Sequence, residues 1–136
     1  MNQPTKEQIR EFWELLLNWE YRYYEPIYGS SVPKSGWYLG DVFKCNELPP
    51  IDLNNLFRHA VTKFKTPYIS FESEGNKLYC YGKYNEGEYP CGCPSEVHLE
   101  ASVEINDMSY DKACALALFW AIYQVRKGEV NDKADR

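Results

Sequence analysis

Apolar positions recur with helical spacing in two segments of the first half of the chain. Near the start, apolar side chains follow the i, i+3, i+4, i+7, i+8 pattern of an amphipathic helix, at Ile9, Phe12, Trp13, Leu16 and Leu17. With Thr5 and Gln8 as a capping box, this pattern predicts a first helix over residues 6–19. A second stripe predicts a helix over residues 53–65, with Asp52 as its N-cap and Pro67 as its end.

The second half of the chain changes period and then changes back. From Val97 to Ile105, apolar and polar residues alternate strictly, which is typical of a strand with one buried face. Strands are also predicted over residues 68–73 and 77–84, joined by a hairpin turn at Gly75 and Asn76. A third helix, almost wholly apolar through its middle, is predicted over residues 110–127, with Gly128 as its end.

These elements predict an α+β fold. The predicted antiparallel sheet has three strands or more. Along the chain, the predicted elements are a helix, a loop or hairpin, a second helix, three strands and a third helix. The stretch 21–45 is rich in Pro, Gly, Ser and aromatic residues and predicts an ordered loop with a short hairpin over residues 37–43. We expect one domain over residues 1–128, followed by a polar, frayed tail over residues 129–136. The predicted core contains Leu56, Phe57, Val61, Leu99, Val103, Leu116 and Trp120.

Two segments carry a resemblance to a known family. The stretches "ELPPIDLNNLFRHAVTKF" and "DKACALALFWAIYQVRKGE" resemble a group of small uncharacterised phage and prophage proteins related to the phage ABA-sandwich domain. The likeness covers roughly residues 47–128, and "TKEQIREFWE" near the start fits the same proteins. It implies an α+β fold with strands held between helices and a viral or mobile-element origin. That family has no established chemistry to transfer.

Neither membrane insertion nor catalysis is indicated by the sequence. The longest apolar run, Ala113–Tyr123, has eleven residues, whereas a bilayer-spanning helix needs roughly 20. No secretory signal is visible, so we expect the protein in the cytoplasm of a host cell. The sequence has no phosphate-binding Gly-rich loop, no G-x-S-x-G and no H-E-x-x-H, and its two histidines, His59 and His98, lie in no recognisable catalytic pattern. We therefore expect no catalytic residues.

Cysteines near a Pro-bounded turn raise a different question. A zinc site would use Cys80, Cys91, Cys93 and His98, which are ligands of suitable softness. However, zinc knuckles space their cysteines by about two to four residues, and His98 lies on the polar side of its predicted strand. Five cysteines in a reducing compartment disfavour a disulfide framework. A structural turn is the favoured interpretation, so no cofactor is expected, with zinc or a redox-active cysteine pair as alternatives.

Charge is concentrated in one region of the chain. Between Glu72 and Asp111, nine acidic residues accompany two lysines, a formal charge of −7, whereas the whole chain carries −5. Because nucleic-acid binding requires Lys and Arg, this distribution argues against a nucleic-acid partner and favours a basic protein surface. Ordinary solubility is the alternative explanation of the acidic region.

The favoured hypothesis is a phage-encoded, non-catalytic binding protein. It would inhibit a host defence protein, in an anti-CRISPR-like or other anti-defence role, through an acidic, tyrosine-rich surface. Tyrosine suits such a surface, and the chain has twelve. The predicted partner-binding residues are Glu86, Glu88, Glu100, Glu104, Tyr23, Tyr24, Tyr28 and Trp37.

Two other hypotheses remain, and the sequence leaves open whether the protein is a monomer or a homodimer. The main alternative is a small-molecule or metal-binding accessory protein, for example a dimer that sequesters a ligand, with the aromatic stretch 21–43 as a pocket wall. A small enzyme of unknown chemistry comes third.

Overall fold

The computed structural model describes residues 3–25, 32–88 and 90–134. The chain forms two compact units, one comprising Pro4–Pro50 and the other comprising Met1–Gln3 with Ile51–Arg136. The single domain over residues 1–128 and the frayed tail over residues 129–136 stay predictions.

The unit Pro4–Pro50 begins with the predicted amphipathic helix. Helix α1 (Lys6–Glu11) starts with the expected capping box, in which the Gln8 backbone N–H donates to Thr5 Oγ1 at 3.1 Å and the Thr5 N–H donates to Gln8 Oε1 at 2.9 Å. It continues as a π-helical segment over Phe12–Leu16. The helical structure therefore ends about three residues before the predicted position.

A small antiparallel sheet completes this unit. It contains β1 (Glu20–Arg22), β2 (Gly36–Leu39) and β3 (Val42–Cys45), in that spatial order. The hairpin between β2 and β3 confirms the predicted hairpin and turns at Gly40, whose φ of 59° suits glycine. Strand β1 was not predicted, because its three residues are too few to show an alternating pattern.

The unit containing Ile51–Arg136 holds a second antiparallel sheet. Its strands are β4 (Lys65–Glu74), β5 (Lys77–Glu88) and β6 (Pro94–Glu104), in the spatial order β4-β5-β6. The predicted meander is confirmed, with Gly75 at φ 61° in the turn between β4 and β5. All three strands are longer than the alternation predicted, since their polar ends carry little periodic signal.

The second helix is irregular, and one residue predicted to be buried in the core is exposed. Helix α2 (Leu53–Asn55) begins at Asp52, whose Oδ1 accepts from the Asn55 N–H at 2.8 Å, and continues as a π-helical segment Leu56–Ala60 and a 3₁₀ turn Val61–Lys63. A π-helical turn is wider than an α-helical one, so the buried stripe rotates. Leu56 is fully buried, whereas Phe57 is 39% exposed. The prediction that Phe57 belongs to the core was therefore wrong.

Helix α3 (Tyr110–Ala134) packs against β5 and β6. Every residue from Ala113 to Tyr123 is buried, and so are the other predicted core positions Leu56, Val61, Leu99 and Val103. The expectation that Gly128 ends this helix was wrong, because α3 continues to Ala134. One glycine costs about 1 kcal/mol relative to alanine within a helix, which is too little to stop a long one.

The α+β class is confirmed. The element order differs in part from the prediction, since the described residues form a second three-stranded sheet where a loop or hairpin was expected.

Candidate partner-binding face

The outer face of the β4-β5-β6 sheet combines tyrosines with glutamates. Side chains alternate along β5, so that Leu78, Cys80 and Tyr84 are buried while the residues between them point to the other side. Register places the alternate residues of β4 and β6 beside them on that side. We call this surface the tyrosine–glutamate face; it comprises Tyr68, Tyr79, Tyr81, Glu72, Glu74, Glu96, Glu100 and Glu104, with Lys77, Lys83 and His98 among them.

Tyrosines occupy the middle of this face. The rings of Tyr79 and Tyr81 stack with centroids 6.0 Å apart and planes 6° apart. Tyr79 is paired across the strands with Glu72 on β4, and Tyr81 with Glu100 on β6. Desolvation raises the pKa of the Tyr81 phenol, and the charges of Glu100 and Glu72 raise it further. The phenol therefore keeps its proton and presents a hydrogen-bond donor between carboxylates.

The two lysines on the face do not neutralise it. Lys83 Nζ lies 3.5 Å from Glu96 Oε1, and His98 Nε2 lies 3.8 Å from Glu96 Oε2. Lys77 is paired in register with Glu74 on one side and Glu104 on the other. With five glutamates and two lysines, the face carries a formal charge of −3 when His98 is neutral.

The structure divides the acidic residues of the predicted partner surface. Glu100 and Glu104 lie on the tyrosine–glutamate face and are exposed. Glu86 is exposed but belongs to an irregular position of β5, among the residues that line a pocket with Lys63 and Arg126. The side chain of Glu88 lies outside the described part of the structure.

The predicted aromatic residues lie in the other unit and are not equally accessible. Tyr23 is 69% exposed and Tyr24 is half-buried. Trp37 is only 6% exposed and contacts the Tyr21 ring edge-on, with centroids 5.4 Å apart, so it supports its sheet and offers little surface. Tyr28 lies outside the described residues. The role of all four in partner binding stays a prediction.

The four residues of the alternative zinc set are not brought together. Cys80 is fully buried on the inner side of β5, whereas His98 is exposed on the outer side of β6. The sheet itself separates these two side chains, while Cys91 and Cys93 lie exposed in the turn beyond β5. Among the residues that the structure describes, no three His, Cys, Asp or Glu side chains converge as a metal site.

Cys91 and Cys93 interact with each other. The thiol and backbone N–H of Cys93 donate to the Cys91 sulfur, which lowers the pKa of Cys91. Gly92 between them has φ 86°, a conformation that glycine adopts without strain. The turn is therefore specific in geometry, with two exposed thiols side by side.

Sequence reasoning missed the tyrosines at the centre of the face. Tyr79 and Tyr81 stand at alternate positions of a strand whose other positions, Leu78 and Cys80, are apolar. That alternation was sufficient to place both tyrosines beside Glu100 on the outer side, once the register between β5 and β6 was known.

Comparison with known proteins leaves the family open. No family model, curated protein or solved structure matches this chain. Within the described ranges, no helix combines the length and apolarity needed to cross a bilayer.

Proposed function

We propose that this protein is a non-catalytic binding protein that docks its tyrosine–glutamate face on a basic surface of another protein. The single observation that carries the proposal is the arrangement of that face, in which stacked tyrosines are flanked by glutamates on both neighbouring strands. Protein interfaces have the same organisation, with aromatic residues near the centre and charged residues at the rim.

The two residue types have different roles in this proposal. Tyrosine supplies a large contact area, loses little conformational entropy on binding and keeps an O–H donor. The glutamates contribute mainly to the rate and selectivity of association, because rim charges steer a partner of opposite charge and repel partners of like charge. Tyr79 and Tyr81 therefore provide affinity, while Glu100 and Glu104 provide selectivity.

The dimensions of the face fit the central part of an interface. From Tyr68 to Glu74 the face extends about 24 Å along β4, and three strands span about 14 Å, which gives roughly 330 Å² of sheet surface. A standard interface buries about 800 Å² on each partner. The face therefore forms somewhat less than half of such an interface, and neighbouring surface supplies the remainder.

The class of target follows from the charge of the face and from the resemblance to phage proteins. A negatively charged surface of this kind is complementary to the Lys- and Arg-rich surface with which a protein holds nucleic acid. A phage-encoded inhibitor of a host defence protein would use it to occupy the nucleic-acid channel of that protein. This anti-defence role is more specific than binding to a basic surface, and it rests on the resemblance to phage and prophage proteins.

Affinity capture with matched variants tests the proposal. Wild type, Glu100→Lys/Glu104→Lys and Glu25→Lys/Glu47→Lys are immobilised separately and exposed to lysate of a candidate host. The two double variants change net charge equally, but Glu25 and Glu47 are exposed residues of the other unit. A nucleic-acid-binding protein should be retained by wild type and by the Glu25/Glu47 variant, and lost with the Glu100/Glu104 variant.

Equal retention by all three proteins would contradict the proposed face. Equal loss with both double variants would show that only net charge matters, which would also contradict a specific surface.

A further inference from the structure

A second site lies at the end of the β4-β5-β6 sheet, where β4 begins and β5 ends. A pocket of about 280 Å³ is present there. Its lining includes the charged residues Lys63, Lys65, Glu86 and Arg126 and the rings of Phe64 and Tyr84. These residues come from the 3₁₀ turn and the β4 start, from β5, and from α3, and all belong to the same compact unit.

Two irregularities in strand pairing coincide at this pocket. On one side of β5, Lys65 pairs with Asn85 and Tyr68 with Lys83, which leaves two β4 residues opposite Tyr84. On the other side, Asn85 and Gly87 pair with consecutive residues of β6, which leaves Glu86 as an extra residue. Bulges of this kind bend a strand, redirect side chains and are frequent next to functional sites.

Two stacked, buried rings line the pocket. Phe64 and Tyr84 stack with centroids 4.2 Å apart and planes 10° apart, and they are only 7% and 4% exposed. The Arg126 guanidinium carbon lies 5.9 Å from the centroid of the Phe64 ring, within the range of a cation–π contact. The planar guanidinium therefore lies close to the aromatic part of the pocket lining.

The charge of the pocket is opposite to that of the protein. Among the lining residues that the structure describes, Lys63, Lys65 and Arg126 bring three positive charges and Glu86 brings one negative charge, a formal charge of +2. The whole chain carries −5, and the tyrosine–glutamate face of the same sheet is negative. A positive pocket in such a chain is a local feature that overall charge does not explain.

We propose that this pocket binds a small molecule through a phosphate group. Arginine suits a phosphate because its planar fork donates two parallel hydrogen bonds, and lysines add point charges on either side. The pocket volume is just below the roughly 300–1,000 Å³ of ligand sites in proteins, so the ligand should be a phosphate ester no larger than a mononucleotide. This site is independent of the protein-binding face and of its partner.

Glu86 sets the selectivity of the site. Its carboxylate repels a bound anion and therefore opposes the attraction that the three cations exert on it. It also accepts a hydrogen bond from a sugar hydroxyl of a phosphate ester, a group that inorganic phosphate lacks. Replacing Glu86 with glutamine should therefore strengthen binding of inorganic phosphate, while replacing Arg126 should weaken it.

Nuclear magnetic resonance titration of the full-length protein tests this proposal. The probes are inorganic phosphate, AMP and adenosine. Phosphate and AMP should cause saturable shifts of the amide signals of residues 63–65 and 85–87, and adenosine should not. In Arg126→Gln the affinity for AMP should fall roughly tenfold, as expected for loss of a charge-assisted hydrogen-bonding group. In Glu86→Gln the affinity for phosphate should rise.

Controls separate the site from general charge and from misfolding. Lys77→Gln removes the same charge at the opposite end of β5 and should leave AMP affinity unchanged. Should Arg126→Gln fail to fold, Lys63→Gln and Lys65→Gln change exposed residues of the pocket and should each weaken AMP binding.

Three results with the small ligands and variants would overturn the proposal. They are the absence of saturable shifts with both phosphate and AMP, equal binding of AMP and adenosine, and an equal loss of affinity in Lys77→Gln and the pocket variants. Tighter binding of a short single-stranded oligonucleotide than of AMP would also contradict it, because the site would then be part of a polyanion surface.

Discussion

Tyr79 and Tyr81 stack on the outer side of β5, with ring centroids 6.0 Å apart and ring planes 6° apart. Each ring restricts the rotamers of the other, so part of the conformational entropy that a partner would otherwise remove is already lost. A sheet also holds both side chains more precisely than a loop would. The pair is therefore preorganised as the centre of a binding surface.

Removing one ring of this pair should affect binding more than folding. We expect Tyr81→Ala to lower the affinity for a captured partner by about 2 kcal/mol, as is typical of central interface residues. The free energy of unfolding should fall by about 1 kcal/mol or less, since cross-strand pairs on a solvent-facing side contribute little. Biolayer interferometry and urea denaturation measure the two quantities.

Tyr23→Ala is the matched comparison for Tyr81→Ala. It removes a tyrosine that is 69% exposed and belongs to the other compact unit. Binding should be unchanged in this variant. A loss of affinity in Tyr23→Ala but not in Tyr81→Ala would move the binding surface to the aromatic segment predicted from the sequence.

Substitutions at two adjacent positions of β6 test which side of the strand faces the core. Val103 is 2% exposed, so Val103→Glu should destabilise the protein by several kcal/mol, because a carboxylate is buried without a partner. Ser102→Glu introduces the same group one residue earlier, on the outer side, and should change stability by about 0.5 kcal/mol. Thermal denaturation of both variants measures the difference, and similar melting temperatures would mean that the inner face is assigned incorrectly.

In the irregular second helix, Leu56 should contribute more to stability than the larger Phe57. Leu56 is fully buried and Phe57 is 39% exposed. Leu56→Ala should therefore destabilise the protein by about 2–5 kcal/mol, and Phe57→Ala by about 1 kcal/mol or less. Urea denaturation distinguishes the two. A larger effect at Phe57 would contradict this assignment and would favour the regular amphipathic helix that the sequence predicted.

Sequence periodicity correctly predicted those parts of the fold in which burial follows the regular period of a strand. Strict alternation from Val97 to Ile105 correctly placed Leu99 and Val103 inside and Glu100 and Glu104 outside. The π-helical segment was not predictable, because it depends on how α2 packs and not on local propensity. Phe57 was misplaced for that reason.

The candidate sites were predictable only in part. Glutamates at alternate positions of β6 indicated an acidic surface, and Glu100 and Glu104 are on it. Glu86 belongs to a different environment, because two strand bulges place it in a pocket with Arg126, forty residues later in the chain. Bulges and contacts over such a separation leave no periodic signal in a single sequence.

The cysteines should differ strongly in reactivity. Cys91 and Cys93 are exposed, and their hydrogen bond lowers the pKa of Cys91 and raises the pKa of Cys93, so Cys91 should react first with a thiol reagent at neutral pH. Cys80 is fully buried and should react only after unfolding. Mass spectrometry of the partly labelled protein identifies the order, and early labelling of Cys80 would contradict it. Cys91→Ser/Cys93→Ser should leave the melting temperature unchanged.

Cys80 should also make stability depend on alkaline pH. Burial, followed by the neighbouring Cys114, raises the pKa of Cys80 from its ordinary 9.0 to about 12. In the unfolded chain this thiol loses its proton near pH 9, so between pH 9 and pH 12 the folded state binds more protons and stability falls as pH rises. Cys80→Ala should show a shallower decline over that range in urea denaturation, and an unchanged slope would contradict the shift.

Association kinetics at several ionic strengths test the central claim most directly. The partner captured by the wild-type protein is measured against wild type, Glu100→Lys/Glu104→Lys and the control Glu25→Lys/Glu47→Lys. The wild-type association rate should fall as salt rises, since the Debye length shortens from about 10 Å at 0.1 M to about 3 Å at 1 M. Reversal of Glu100 and Glu104 should lower the association rate much more than it raises the dissociation rate, and the control should behave like wild type. Binding that is insensitive both to salt and to reversal of Glu100 and Glu104 would contradict the proposed role of the tyrosine–glutamate face.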